Sequence, residues 1–155
     1  AAKVAVPLPG IPVPFTLQPV AVLLAGALLG ASGGFKSQSI YLAAGMVGLP
    51  VFAAGGGWAY LLGPTGGYLL AFPVAAWIVG AFADRSRSAL SIAFGAVVGL
   101  AVIHLGGIAW LAALSGREAA AAVGLTPFFV GDLLKVALVT VIGAGFGGHV
   151  RRWIG

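Results

Sequence analysis

Long runs without a charged side chain constrain this 155-residue chain more than any other feature. Residues 4–35, 37–83, 88–116 and 136–150 contain no Lys, Arg, Asp or Glu, and a helix needs only about 20 mostly apolar residues to cross a bilayer. Charged residues make up 7% of the chain and hydrophobic ones 61%, against roughly 25% charged in soluble domains. A water-soluble globule is excluded, and so is a disordered chain, which would be polar and charge-rich. The absence of cysteine removes disulfides and thiolate metal sites. The net charge of +5 does not point to nucleic acid. Lys36, Arg85, Arg87, Arg151 and Arg152 fall in short connections or at the C-terminus, where they act as topology signals rather than as a phosphate-binding face.

The pattern predicts an all-α membrane protein, a single transmembrane domain over residues 1–155 with spans at 17–34, 37–52, 67–83, 89–114 and 127–150. Ahead of the first span lies Pro7-Leu8-Pro9-Gly10-Ile11-Pro12-Val13-Pro14, where prolines remove backbone donors and prevent a regular helix. The last span opens with Thr126-Pro127, an N-cap followed by Pro at N1. Alternation places five cations on one side and Lys3 and Arg117 on the other, so the C-terminus is expected in the cytoplasm of a multi-pass cell-membrane protein. The apolar but glycine-broken segment 50–67 then lies on the outer face. Irregular backbone at membrane depth must lie against protein or line a cavity, and this segment is expected to be a lid.

Asp132 and Lys135 are the ionisable pair well inside a predicted span, on one helical face at i and i+3. Their bland reading is an ion pair that makes the helix insertable. Their functional reading is a recognition site that combines an acceptor-only anion with a donor-only cation. Phe52, Trp58, Tyr60 and Tyr68 flank the glycine-rich segment and form either an interface belt or the walls of an apolar pocket. Gly30-Ala31-Ser32-Gly33 fits the Gly-x-Ser-Gly of intramembrane serine proteases, with His104 as a base. Ser32 falls at a span end and His104 near mid-span, however, so the cluster reads better as a closely packed helix end and His104 as a core histidine bonded to a neighbouring helix. Gly63-Pro64-Thr65-Gly66-Gly67 lacks the Lys-Ser/Thr of a phosphate loop, and no cofactor is expected.

Four ordered segments resemble the BioY family, the biotin-specific substrate-binding (S) subunits of energy-coupling-factor (ECF) transporters. They are Val6 to Gln18, Gly48-Leu49-Pro50-Val51-Phe52-Ala53, Gly63-Pro64-Thr65-Gly66-Gly67-Tyr68-Leu69 and Gly131-Asp132-Leu133-Leu134-Lys135. The resemblance implies a six-helix bundle, with most of the first helix missing from these residues. It also implies biotin as ligand, a coupling transmembrane subunit and two ATPase subunits as partners, and no enzymatic activity. By the same resemblance Asp132 and Lys135 correspond to the polar ligand-binding pair and 50–67 to the pocket-covering loop. The expected site is Asp132, Lys135, Tyr68, Trp58, Phe52, Gln18, Gly66 and Thr65, with Lys3 as a candidate for the biotin carboxylate. The competing readings are a self-sufficient or ion-coupled carrier and, from another class, an intramembrane serine protease.

Overall fold

The structure is a computed structural model that describes residues 1–6, 13–123 and 129–154; the proline run from Pro7 to Pro12 and the Thr126–Pro127 cap lie outside them. The described elements are β1 (Ala5–Val6), β2 (Phe15–Thr16), α1 (Gln18–Met46), α2 (Trp58–Leu61), α3 (Gly66–Arg85), α4 (Ala89–Val123) and α5 (Phe129–Ile154). Among the described residues, four helical stretches are long and apolar enough to cross a membrane, at Gln18–Met46, Gly66–Arg85, Ala89–Glu118 and Gly131–Trp153.

The first of these is a hairpin. Gly30, with φ 81 and ψ −178, breaks α1 into two legs. A Cβ on Gly34 would stand 2.8 Å from the Gly26 Cα, and the Gln18 amide donates to the Tyr41 hydroxyl at 2.8 Å, so the chain doubles back on itself. The expected boundary between spans at 34–37 is therefore corrected to Gly30, and the second leg ends at Met46 instead of 52. Ser32, Gly33 and Gly34 stay helical, and Gly34 serves close packing against Gly26 and Ala76, the role small residues play where helices meet in lipid. The same glycine-rich surface receives α3: Gly26 lies under the Ala76 carbonyl and Gly80 against Gly30 and Ala31, and none of these sites has room for a Cβ.

α4 starts where the Ser88 hydroxyl accepts the Ser91 amide at 3.2 Å, a side-chain N-cap. It runs past the expected end at 114 but is interrupted at Gly116 (φ 86, ψ 167). Leu23, Val79, Ile92, Ile103, Leu111 and Val139 are fully buried among the helices. Large apolar side chains such as Ile40, Leu90, Leu134 and Val141 point outward, as a lipid-facing surface requires.

One end of the bundle is closed by charge. The Asp84 carboxylate accepts the Ala31 amide at 2.9 Å, just past the Gly30 turn, and also pairs with Arg151 from α5. The Arg151 Nε donates to the Leu28 carbonyl at 3.3 Å, at the end of the first leg. An anion on helix-start amides and a cation on helix-end carbonyls match the local backbone dipoles, and the two residues tie α3 and α5 to the hairpin turn.

Candidate functional site

The other end of the bundle holds a cavity. In α5 Asp132 and Lys135 sit near the start of the helix, with about 28 Å of helix between Asp132 and Arg151 at 1.5 Å per residue. The Lys135 ammonium donates to Asp132 Oδ1 at 2.9 Å and stands 4.2 Å from the centre of the Phe15 ring. Lys135 is only 5% exposed, so its charge depends on these two partners. The second carboxylate oxygen, Oδ2, meets His104 Nε2 of α4 at 2.6 Å. Tyr68 of α3 approaches the His104 ring edge-on, with centroids 6.3 Å apart. It does so because Gly107, one turn from His104 on α4, leaves no room for a Cβ beneath the Tyr68 ring.

Lys135, His104, Ile103, Tyr68, Leu69, Phe72, Thr65, Tyr60, Ala53, Gln18, Thr16 and Phe15 line one apolar cavity. The Tyr68 hydroxyl is buried without a hydrogen-bond partner among the described residues, a donor and acceptor left for something in the cavity. Gln18 is held by a relay in which Thr16 Oγ1 accepts the Gln18 backbone amide at 3.3 Å, the Gln18 side chain donates to Tyr41, and the Tyr41 hydroxyl donates to the Val51 carbonyl at 2.8 Å. The roof comes from the loop after α1. Phe52 is fully buried, stacked on Tyr60 at 5.2 Å and edge-on to Tyr41 at 5.5 Å, while the Gly57 amide donates to the Gly45 carbonyl at 2.7 Å. The Trp110 indole donates to the Gly63 carbonyl at 3.0 Å and pins the roof to α4. The water-accessible volume is about 50 Å³, room for one or two waters.

Of the residues expected at the site, Lys135, Tyr68, Gln18 and Thr65 line the cavity and Asp132 stands behind Lys135 and His104. Three do not fit the expected roles. Trp58 is 66% exposed and lies outside the lining of this cavity. Phe52 supports the roof from behind, through Tyr60. Gly66 is a packing position and not a hinge, because a Cβ there would run into the Leu61 carbonyl. Lys3 donates to the Phe52 carbonyl at 3.1 Å and lines a neighbouring cavity with Gln18, Gln38 and Tyr41. Ser32 lies two residues past the Gly30 turn, by the Asp84 and Arg151 end, so the Ser32–His104 dyad does not form. Phe15, Thr16 and His104 enter the site unforeseen, and Tyr60, one of the aromatics flanking the glycine-rich segment, takes a place in the cavity wall. The sequence signal for His104 is the Gly106-Gly107 pair, which marks close approach of another helix beside a lone histidine.

Comparison with known proteins agrees with this architecture. The sequence matches the BioY family over residues 1–152. It is 46% identical to "Probable biotin transporter BioY" of Pyrococcus horikoshii over 84% of this chain and 78% of that protein. It is 38% identical to "Biotin transporter BioY" of Thermotoga maritima over 84% and 79%. The fold is similar to a crystal structure of the S-component for biotin from an ECF-type ABC transporter, with a TM-score of 0.82 and 30% identity over 90% of this chain and 78% of that one.

Proposed function

The chain belongs to the BioY family, and from that premise we propose how it works: it is a membrane S subunit for biotin uptake that holds the vitamin in the cavity beside Lys135. Its activity is transport and not catalysis. Biotin presents a ureido group with two N–H donors and one carbonyl acceptor, an apolar thioether ring and a carboxylate tail. Lys135 donates to the ureido oxygen, Asp132, which backs Lys135 and His104 at the cavity wall, accepts the ureido N–H groups as the ligand settles between them, and Phe15, Tyr60, Phe72 and Ile103 pack the rings. Gln18, Thr65 and the partnerless Tyr68 hydroxyl supply further polar contacts. The observation that carries this reading is the Lys135–Asp132 pair at the wall of an apolar cavity, at 2.9 Å with Lys135 buried.

Tyr60 and Ala53 of the 47–65 segment lie over the cavity, and outward movement of this roof is the route by which the ligand enters. Gly48, Gly55 and Gly57, all with open space around them, are places where it can bend. The end bearing Lys36, Arg85, Arg87, Arg151 and Arg152 faces the cytoplasm and the cavity faces outside. A coupling transmembrane subunit and two ATPase subunits energise uptake, because the sequence carries no nucleotide-binding motif of its own.

Calorimetric titration of biotin into the purified protein and into Lys135→Ala tests the site. Losing one member of a buried pair leaves the other uncompensated at about 3 to 5 kcal/mol, which corresponds to a loss of affinity of a hundredfold or more. Affinity near that of the parent protein, in a variant that still folds, would place the ligand elsewhere.

A further inference from the structure

We propose that His104 is the positioning residue of this site: it sets the plane of the Asp132 carboxylate, and through that plane the preference for a ureido group. The inference rests on the assignment of Asp132 and Lys135 to the ureido end.

Two distances carry it. Asp132 Oδ1 is 2.9 Å from Lys135, three residues on in the same helix, and Oδ2 is 2.6 Å from His104 of α4. An ionised carboxylate only accepts, so Nε2 carries the hydrogen in this contact. The Lys135 bond alone would leave the carboxylate free to turn about its Cβ–Cγ bond, since lysine follows on a flexible stem. A second bond on the other oxygen, from a different helix, removes that freedom. The donor is itself held: His104 is 8% exposed, follows Ile103 at 1%, and meets the Tyr68 ring at an interplanar angle of 89°. Among the described residues each carboxylate oxygen has one hydrogen-bond partner, and a carboxylate oxygen can accept a second; with the plane fixed, the two oxygens match two parallel N–H donors. Fixing a ligand-reading group by a second layer of hydrogen bonds is the general way a site gains fidelity.

His104→Phe keeps the ring and removes the donor; His104→Gln keeps an N–H donor of similar reach. Biotin and an N-methylated biotin, in which a methyl group replaces one ureido N–H hydrogen, are titrated calorimetrically into the purified protein, both variants, Asp132→Asn and the Asp132→Asn/His104→Phe double variant. A hydrogen bond to a charged group is worth about 1.5 to 3 kcal/mol, so His104→Phe is expected to weaken biotin binding about ten- to hundredfold. The preference for biotin over the N-methylated ligand falls with it, because only a carboxylate held in plane requires both N–H donors, and a merely structural defect would leave that preference unchanged. His104→Gln restores most of both, and His104→Phe adds little on top of Asp132→Asn. If Asp132→Asn is severe while His104→Phe binds like the parent protein, or Phe and Gln are equally impaired, the role of His104 is overturned and the site stands. If Asp132→Asn binds like the parent, the assignment of the site fails and the inference with it. Should His104→Phe not fold, His104→Asn, whose amide stops short of Asp132, takes its place, and equal binding by Asn and Gln overturns the proposal.

Discussion

Two glycines interrupt helices in nearly the same backbone conformation but in different surroundings, and substituting alanine at each separates two costs that normally arrive together. Gly30 has φ 81 and ψ −178, and Gly116 has φ 86 and ψ 167. Only glycine visits this region readily, and another residue forced into it costs about 1 to 3 kcal/mol. At Gly116 an added Cβ meets nothing within 4 Å, so Gly116→Ala should cost that amount and no more. At Gly30 the Cβ would stand 2.7 Å from Asp84 Oδ1 and 2.8 Å from Arg151 Nη2. Relieving that contact pushes apart the residues that cap Ala31 and hold the Leu28 carbonyl. A lost helix cap is worth about 0.5 to 2 kcal/mol and a lost hydrogen bond about 1. The Asp84–Arg151 pair, 41% and 27% exposed at its two side chains, adds less than about 1 because solvent screens it. Gly30→Ala should therefore be destabilised by about 2 to 3 kcal/mol more than Gly116→Ala. Reversible unfolding by SDS titration of dodecylmaltoside micelles, followed by tryptophan fluorescence, measures both. Adding Asp84→Ala should cost much less in the Gly30→Ala background than in the parent protein, because the cap is already broken. Equal destabilisation of the two glycine variants, or full additivity with Asp84→Ala, would refute the idea that the clamp holds the hairpin turn.

Gly66→Ala should lower the melting temperature of the purified protein, because its Cβ meets backbone that cannot swing aside. Gly145→Ala, in open space on α5, should leave the melting temperature unchanged or raise it by removing a glycine from a helix. Phe52→Ala should destabilise the fold by about 3 to 5 kcal/mol, as loss of a buried aromatic does, whereas Trp58→Ala should be nearly silent in both melting and biotin binding. Single cysteines at Ser86 and Gly116, introduced into a chain with none, should react with membrane-impermeant maleimide from the cytoplasmic and outer sides respectively, and the reverse pattern would invert the proposed orientation.

Hydropathy alone was enough to read long apolar helices and their order, because a charge inside lipid is costly and its absence is unambiguous. It misplaced the first turn. Gly30 to Gly34 offers four small residues and one alanine, and nothing local says which of them breaks the helix; Gly30 does so because Asp84 and Arg151, distant in sequence, reward a break there. Asp132 and Lys135 were legible for the same reason as the crossings, as isolated charges in apolar surroundings. Trp58 misled because an aromatic beside glycines looks alike whether it faces a cavity or the outside. Gly66 misled because a sequence does not distinguish a glycine needed for space from one needed for an unusual dihedral. His104 was read as bonded to a neighbouring helix, but its partner, the Asp132 carboxylate, emerges only when α4 and α5 are set side by side.

The walls of the cavity are scattered along the chain: Phe15 from a two-residue strand, Gln18 from the first helix, Tyr60 from a single turn, Tyr68 from α3, His104 from α4 and Lys135 from α5. No subset of consecutive elements encloses it, so with biotin held there as proposed, a nascent chain offers the vitamin no site until its final helix has inserted. Ligand occupancy thus monitors completion of assembly. Whatever binds only the finished form stabilises it by RT ln(1 + [L]/Kd), about 2.7 kcal/mol at a hundredfold excess over Kd, and the substrate acts as a chaperone for its own carrier.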